Sequence, residues 1–126
     1  VISDKERKTR HKAIDYDKVP HNVAIYDIGP KTCNQYAELI NEAKTIIWNG
    51  PMGLYEDARF TKGTDYILKC IAGAKALTIV GGGDTLTSIK TQSYLKKIDH
   101  ISTGGGAMLT FLEKGTLPGI EVLQDA

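Results

Sequence analysis

The stretch Ala76-Leu-Thr-Ile-Val-Gly-Gly-Gly-Asp-Thr-Leu86 joins a short apolar run to three consecutive glycines and then to the start of a helical pattern. A second stretch, His100-Ile-Ser-Thr-Gly-Gly-Gly-Ala107, repeats this arrangement. A short apolar run that ends at glycine indicates a buried strand, and apolar residues at helical spacing after it indicate a helix. The two stretches therefore predict two successive strand-turn-helix units.

The chain before these stretches shows the same alternation. Val23–Ile28 and Thr45–Trp48 are apolar runs that predict further buried strands. Thr32 is expected to cap the helix after the first run, and a second helix is expected over Thr64–Ala72, with Gly73 just past its end. The apolar spacing in this second helix predicts which side chains face inward: Ile67, Leu68 and Ile71. Strands that alternate with helices, without hairpin signals, predict parallel strands. The predicted fold is a doubly wound, Rossmann-like α/β sheet in three αβα layers.

The two ends of the chain differ in character. In the helix predicted after the second glycine triplet, Leu109 and Leu112 are expected to face the core, and Gly115 is expected to end it. Near the start, 4–18 is a mixed charge run that predicts an exposed excursion. Val1-Ile2 is typical of the last residues of a strand. We therefore expect the chain to be part of a larger folding unit.

The composition of the 126 residues is that of one soluble globular unit, because 41% are hydrophobic and 25% are charged. No apolar run is long enough for a membrane span, and a formal net charge of +1 offers no electrostatic footprint for nucleic acid or an anionic bilayer. Cys33 and Cys70 have no partners at metal-binding spacing, so we expect reduced, packed thiols in a cytoplasmic protein.

The two glycine triplets are expected at one edge of the sheet, where open α/β sheets bind ligands. Glycine allows the backbone to turn sharply and its N–H groups to approach an anion closely. Two parallel triplets favour phosphate binding over the alternative, in which each is merely a tight turn. Leu86 and Leu109 stand at the third position of Gly-x-Gly-x-x-Gly, so neither a standard dinucleotide site nor a Walker loop is predicted.

Several polar residues could complete such a site. Asp84 follows the first triplet, and a carboxylate beside a phosphate-binding turn indicates Mg²⁺, although Asp84 could instead cap the helix. Thr85, Ser102 and Thr103 offer hydroxyls for phosphate oxygens or for caps. The sequence shows no Ser/His/Asp or Cys/His constellation and no obvious general base, which suits phosphoryl transfer.

The turn Trp48-Asn-Gly-Pro-Met-Gly-Leu-Tyr-Glu56 is expected at the same edge of the sheet. It combines an apolar wall with an amide and a carboxylate. Leu54 could pack against a nucleoside base while Glu56 accepts hydrogen bonds from ribose hydroxyls. The alternative is that Trp48 belongs to the core and Glu56 to the solvated surface.

These three stretches, in this order and spacing, resemble the second half of the carboxyl-terminal domain of phosphoglycerate kinases. Asp27-Ile-Gly-Pro-Lys-Thr32 and Leu117-Pro-Gly-Ile-Glu-Val-Leu123 are also similar to segments of that family. The resemblance implies that residues 1–126 form the carboxyl-terminal part of the nucleotide-binding domain, with the amino-terminal domain absent. It further implies a cytoplasmic glycolytic enzyme that reversibly transfers a phosphoryl group between 1,3-bisphosphoglycerate and ADP, giving 3-phosphoglycerate and ATP.

The resemblance also implies roles for the matched residues. The nucleotide and its magnesium ion would be bound by Asn49, Leu54, Glu56, Gly82, Gly83, Asp84 and Thr85. Within this set, Asp84 would be the metal ligand. The transferring phosphoryl group would be stabilised by Gly82, Gly105 and Gly106.

The family's basic residues for phosphoglycerate and its Gly-Ala-Lys loop have no counterpart in this sequence. The isolated chain is therefore expected to be inactive without the amino-terminal half of the same protein. The complete enzyme is expected to be a monomer, whereas an exposed sheet edge of the chain alone should pair with the missing segment or with a second copy. Two alternatives stay open: an autonomous phosphate or nucleotide-binding module without catalysis, and a structural α/β domain whose glycines only make turns.

Overall fold

The computed structural model describes residues 1–4, 11–89 and 91–124. Strands alternate with helices through most of this part of the chain. The elements are, in order, β1 (Ile2–Asp4), β2 (Val23–Ile25), α1 (Pro30–Glu42), β3 (Thr45–Asn49), α2 (Lys62–Gly73), β4 (Leu77–Gly81), α3 (Gly83–Ser88), α4 (Gln92–Leu95), β5 (His100–Ser102), α5 (Gly105–Lys114) and α6 (Pro118–Gln124). Within the described residues, no helix is both long and apolar enough to cross a membrane.

A parallel sheet with the strand order β3-β4-β5 forms the centre of the molecule. Side chains alternate between its two faces, and the face that carries Ile46, Trp48 and Val80 packs against α2. The α2 side chains on this side are buried, as the sequence predicts: Ile67, Leu68 and Ile71. The helix starts two residues earlier than expected. It also includes Gly73, which was predicted to lie beyond its end, because Ala74 is the residue that leaves the helical conformation.

The opposite face of the sheet is more open. Ile47 and Leu77 lie on it and are 47% and 53% exposed. The helix α5 reaches this face at Gly81, where the Met108 sulfur lies 2.6 Å from the position that a Cβ would occupy. The parallel α/β architecture is thus confirmed, with one face of the sheet covered far more completely than the other.

The prediction that Leu109 and Leu112 face the core is wrong. They are 45% and 47% exposed, and none of the described residues of α5 is buried. The sequence pattern shows which side of the helix is apolar, but it does not show whether another element covers that side. The predicted end of the helix is confirmed, since Gly115 follows α5 in the left-handed conformation with φ 72°.

The first strands form a separate structure, because β1 and β2 pair antiparallel in a two-stranded sheet. The prediction of a fully buried parallel strand over Val23–Ile28 is therefore wrong. β2 spans three residues, and Ile25 is 64% exposed. Beyond the end of β2 the apolar run contains Asp27, whose buried carboxylate accepts hydrogen bonds from the backbone N–H groups of Ile28 and Gly63.

The helix α1 begins at Pro30 with Gly29 as its N-cap, so the prediction of Thr32 as the cap is wrong. Proline suits the first helical position because its fixed φ is helical. Its missing N–H costs nothing there, since an N–H at that position has no acceptor within the helix. α1 packs against α2. Both thiols are free, with Cys33 buried and Cys70 partly buried, and burial raises the pKa of each, as expected for packed and unreactive thiols.

Candidate functional site

The two glycine triplets and Asn49 meet where β3, β4 and β5 end. The Gly82 N–H donates to the Ser102 carbonyl at 3.1 Å, which sets the triplets side by side. A Cβ on Gly105 would lie 2.7 Å from the Gly82 Cα, and a Cβ on either glycine would lie 2.5 Å from the Asn49 side-chain oxygen. Gly82 also has a φ of +99°. Only glycine therefore fits at both positions, and the three residues are in mutual contact.

The next glycine of each triplet has a different environment. A Cβ on Gly83 or Gly106 would meet no atom within 4 Å, and neither residue has a positive φ. Both belong to the first turn of a helix, where backbone N–H groups lack intrahelical acceptors. The fold does not require glycine at these two positions, and the space beside their backbone is open to a ligand.

The loop that follows β3 is held at every second residue. Three of its backbone N–H groups donate to three different parts of the fold, at distances of 2.7, 3.0 and 2.8 Å: Gly50 to the Thr85 hydroxyl, Met52 to the Thr64 hydroxyl and Leu54 to the Tyr26 carbonyl. Both threonines are fully buried. The loop therefore has one defined path along the edge of the sheet.

Asp84 lies at the second position of α3 with its side chain exposed. The N-cap of this helix is Gly82, so within the described residues Asp84 does not act as the cap. One Asp84 carboxylate oxygen accepts a hydrogen bond from the Tyr55 hydroxyl at 3.2 Å. Burial, followed by this hydrogen bond, raises the pKa of Tyr55, which keeps the phenol a neutral donor. This contact brings the loop after β3 to the start of α3.

The donor set around Asp84 limits what kind of cation could bind. Among the described residues, no three metal-ligating side chains lie together. A single exposed carboxylate beside open backbone fits a Mg²⁺ ion that takes its other ligands from phosphate oxygens and water. It does not fit a metal held entirely by protein side chains.

The other predicted residues differ in their burial and in their hydrogen bonds. Leu54 is partly buried in the loop and Glu56 is exposed two residues further on. Trp48 is a core residue, 5% exposed, and its indole nitrogen has no hydrogen-bond partner among the described residues. The Thr85 hydroxyl oxygen already accepts a hydrogen bond from the Gly50 N–H. The hydroxyl hydrogen of Thr85 can still be donated to another group. The Ser102 hydroxyl donates weakly to the Gly104 carbonyl at 3.4 Å.

Asp27 was not among the predicted site residues, yet it contacts the loop after β3 at Gly53. Its carboxylate is buried, and its two oxygens accept the Ile28 N–H at 2.8 Å and the Gly63 N–H at 2.9 Å. Burial raises the pKa of Asp27, and the two backbone hydrogen bonds oppose that shift. The sequence feature that could have pointed to Asp27 is that it is a carboxylate inside an otherwise apolar run, Val23–Ile28.

A cavity of about 360 Å³ lies beside Asp27, between α1 and the start of α2. Its lining includes Cys33, Lys62 and Tyr66. Among the described residues that line it, there is no residue predicted to bind the nucleotide. The cavity is therefore separate from the edge at which the glycine triplets meet.

Comparisons with known proteins agree with the resemblance seen in the sequence. A family profile described as phosphoglycerate kinase matches residues 1–115. The phosphoglycerate kinase of Leptospira biflexa is 55% identical over 124 residues, which cover 98% of this chain and 31% of the relative. That of Herpetosiphon aurantiacus is 46% identical over 114 residues, 90% of this chain and 29% of the relative.

Solved structures give the same result. The phosphoglycerate kinase structure from Coxiella burnetii matches with a TM-score of 0.75 at 44% identity, over 85% of this chain and 28% of that chain. The structure from Pyrococcus horikoshii matches with a TM-score of 0.72 at 44% identity, over 82% and 25%. The chain thus spans between 25% and 31% of the length of these proteins.

Proposed function

This chain belongs to the phosphoglycerate kinase family, and from that premise we propose that it supplies the Mg-ADP/ATP side of a phosphoryl-transfer site. The complete protein would reversibly move a phosphoryl group between 1,3-bisphosphoglycerate and ADP, giving 3-phosphoglycerate and ATP in cytoplasmic glycolysis. Residues 1–126 would be the carboxyl-terminal part of its nucleotide-binding domain. The phosphoglycerate side would come from the amino-terminal half of the same protein.

The observation that carries this proposal is the meeting of the two glycine triplets at Asn49. Gly82 and Gly105 must be glycine for the turns to touch, whereas Gly83 and Gly106 face open space that the fold leaves unused. Backbone N–H groups at two helix starts would then point into one shared opening. Such groups favour negative charge, which suits both the nucleotide phosphates and the charge that develops on a transferring phosphoryl group.

The residues divide by what they would contact. The base would pack on Leu54, and the ribose hydroxyls would donate to Glu56, which the anchored loop holds at the edge of the sheet. Thr85 would contribute by fixing Gly50 and through its remaining O–H. The phosphates would meet Asn49, Gly82 and Gly83, and the transferring group would meet Gly82, Gly105 and Gly106.

Asp84 would be the residue that holds the magnesium ion. Bound there, Mg²⁺ would neutralise charge on the nucleotide phosphates. The chain's own contribution is to place this carboxylate at the first turn of α3, where the Tyr55 hydroxyl orients it. No lysine stands beside the glycine triplets in the sequence. The remaining positive charge would therefore have to come from the rest of the protein, and the isolated chain is expected to be inactive.

The test uses a chimera in which this chain replaces the matching segment of the Leptospira biflexa enzyme. We expect the chimera to catalyse transfer from ATP to 3-phosphoglycerate. Gly83→Ala and Gly106→Ala should raise the KM for ATP or lower kcat at least about tenfold, because a methyl group would occupy the opening. The thermal midpoint should stay unchanged, because neither Cβ meets another atom.

Gly73→Ala and Gly119→Ala are matched controls, since they also add a methyl group to open space on a helix. They should leave the kinetics unchanged. Unchanged kinetics in Gly83→Ala and Gly106→Ala, or an equal loss in the controls, would contradict the proposed site.

Titration of the 126-residue chain with MgADP tests the alternative of an autonomous nucleotide-binding module. Tight binding without the rest of the enzyme would support that alternative.

A further inference from the structure

A buried carboxylate lies behind the loop that would carry the base and ribose contacts. Asp27 is 2% exposed, and each of its carboxylate oxygens accepts one backbone N–H, from Ile28 and from Gly63. A charged group is rarely left in such a place unless both of its oxygens have partners. Asp27 therefore connects the end of the β2 segment to the start of α2.

The same carboxylate also limits the position of the loop. A Cβ on Gly53 would lie 2.6 Å from an Asp27 carboxylate oxygen and 2.3 Å from the Phe60 carbonyl oxygen. The backbone of Gly53 therefore passes in direct contact with Asp27. The next residue, Leu54, donates its N–H to the carbonyl of Tyr26, the neighbour of Asp27. A shift of Asp27 would move this part of the loop.

Two further contacts fix the residues around this junction. Phe60 is fully buried, and the Tyr26 ring stacks on it with the ring centroids 4.9 Å apart. Phe60 closes the far end of the loop through the hydrogen bond from its N–H to the Asp57 carbonyl at 2.9 Å. Leu54 and Glu56 lie between these fixed points, Leu54 partly buried and Glu56 exposed.

We propose that Asp27 is a positioning residue for the nucleotide: it holds the Gly53–Glu56 segment in the place where Leu54 meets the base and Glu56 meets the ribose. This inference rests on the proposed function, because the segment acts on the nucleotide only if the nucleotide binds there. Asp27 itself would touch neither substrate. Its effect would pass through the loop backbone, so it should act on ATP and not on 3-phosphoglycerate.

The test compares the same substitution at two aspartates in the active chimera. Asp27→Asn keeps the size of the side chain but turns an NH₂ group toward one of the two N–H donors, because each Asp27 oxygen accepts one of them. Asp99→Asn is the control at the opposite edge of the sheet, where the N–H and the hydroxyl of Thr78 both donate to a single Asp99 oxygen that an amide oxygen can replace. Asp27→Asn should therefore lower the thermal midpoint more than Asp99→Asn does.

The kinetic constants separate the two aspartates. We expect Asp27→Asn to raise the KM for ATP about fivefold to tenfold, the effect of one lost buried hydrogen bond. The KM for 3-phosphoglycerate should change less than about twofold. Asp99→Asn should leave both KM values unchanged. If Asp27→Asn lowers the thermal midpoint but leaves the KM for ATP unchanged, Asp27 is purely structural and the proposal is overturned.

Glu56→Ala distinguishes failure of this inference from failure of the proposed function, because it removes the acceptor of the ribose hydroxyls. A raised KM for ATP in Glu56→Ala with no change in Asp27→Asn overturns the positioning role alone. No change in Glu56→Ala overturns the nucleotide site on which the inference depends. Should Asp27→Asn fail to fold, Asp27→Ser is measured instead, because the smaller side chain avoids a clash and keeps one hydroxyl acceptor, with the same expected separation of the two KM values.

Discussion

Asp27 and Asp99 are carboxylates that connect segments in two different regions of the molecule. Comparing the two shows how burial changes the pKa of a carboxylate. At one junction, Asp27 joins β2, the loop after β3 and the start of α2. At the amino-terminal edge of the parallel sheet, Asp99 accepts the N–H and the hydroxyl of Thr78 at 2.8 and 2.7 Å. The Asp99 N–H returns a hydrogen bond to the Thr78 hydroxyl at 3.0 Å.

The two aspartates make similar hydrogen bonds, yet their pKa values shift in opposite directions. Burial raises the pKa of Asp27 more than its two backbone hydrogen bonds lower it. The hydrogen bonds from Thr78 lower the pKa of Asp99, whose side chain keeps contact with solvent. Hydrogen bonds alone therefore do not decide how a carboxylate affects stability. The junction at Asp27 is held by tight packing, and the edge at Asp99 is held by hydrogen bonds at the surface.

The largest effect is expected from Gly53→Ala, which tests the packing at Asp27. The new Cβ would lie 2.3 Å from the Phe60 carbonyl oxygen and 2.6 Å from an Asp27 oxygen, and neither of them can move freely. We expect a loss of about 3 kcal/mol in the free energy of unfolding, as for overpacked cores. Urea unfolding followed by the fluorescence of Trp48, the single tryptophan, measures this change.

Gly73→Ala is the control for that variant, because nothing lies within 4 Å of its Cβ position at the end of α2. It should leave the free energy of unfolding unchanged or raise it by up to about 0.5 kcal/mol. Equal losses in the two variants would contradict the close packing of Gly53 against Asp27.

The next effect compares one identical substitution in the two regions. Thr64→Val removes the acceptor of the Met52 N–H, and Thr78→Val removes the hydroxyl that bonds Asp99. Both threonines are buried, so each change should cost about 1 kcal/mol in the free energy of unfolding. Amide hydrogen exchange locates the damage: the Met52 amide should exchange faster in Thr64→Val, and the Asp99 amide in Thr78→Val. Faster exchange of both amides in both variants would mean that the regions are not independent.

A third test uses pH, since the two aspartates should respond with opposite signs. Asp27 has a raised folded pKa, so its contribution to stability is present below the unfolded value of about 3.9 and is lost as the pH rises through the folded pKa. Asp99 has a lowered folded pKa, so its contribution is present above about 3.9 and is lost as the pH falls through the folded pKa.

The measurement is the difference in the free energy of unfolding between wild type and each asparagine variant across the acid range. For Asp27→Asn, the advantage of the wild type should shrink as the pH rises from about 4 toward neutral. For Asp99→Asn, it should shrink as the pH falls below about 4. The same slope in both variants would show that burial does not separate the two carboxylates.

The smallest effect is expected at a third carboxylate, Asp15, which pairs with Lys31 at the surface at 2.6 Å. This partner lowers the pKa of Asp15, as Thr78 does for Asp99, but both side chains of the pair are well exposed. Exposed ion pairs contribute little because solvent screens them. Lys31→Gln should change the thermal midpoint by less than about 1 °C at physiological salt. A drop comparable with that of Thr78→Val would mean that surface charge, not burial, governs these junctions.

The sequence by itself determined the alternation of strands and helices, the inward face of α2 and the placement of two glycine triplets at neighbouring strand ends. These features depend on local periodicity and on backbone freedom at glycine, and both can be read from adjacent residues. The end of α5 at Gly115 follows for the same reason. The family motifs were legible because they are short and contiguous.

Only the tertiary structure decided how distant segments use one another. The antiparallel pairing of β2, the exposure of Leu109 and Leu112 and the contact of Gly53 with Asp27 all depend on partners far away in the chain. Local patterns show that a residue is apolar or charged, but whether it is covered, and by what, depends on which surfaces meet. Asp27 shows this best, because its carboxylate is buried by contacts with the loop after β3 and with the start of α2.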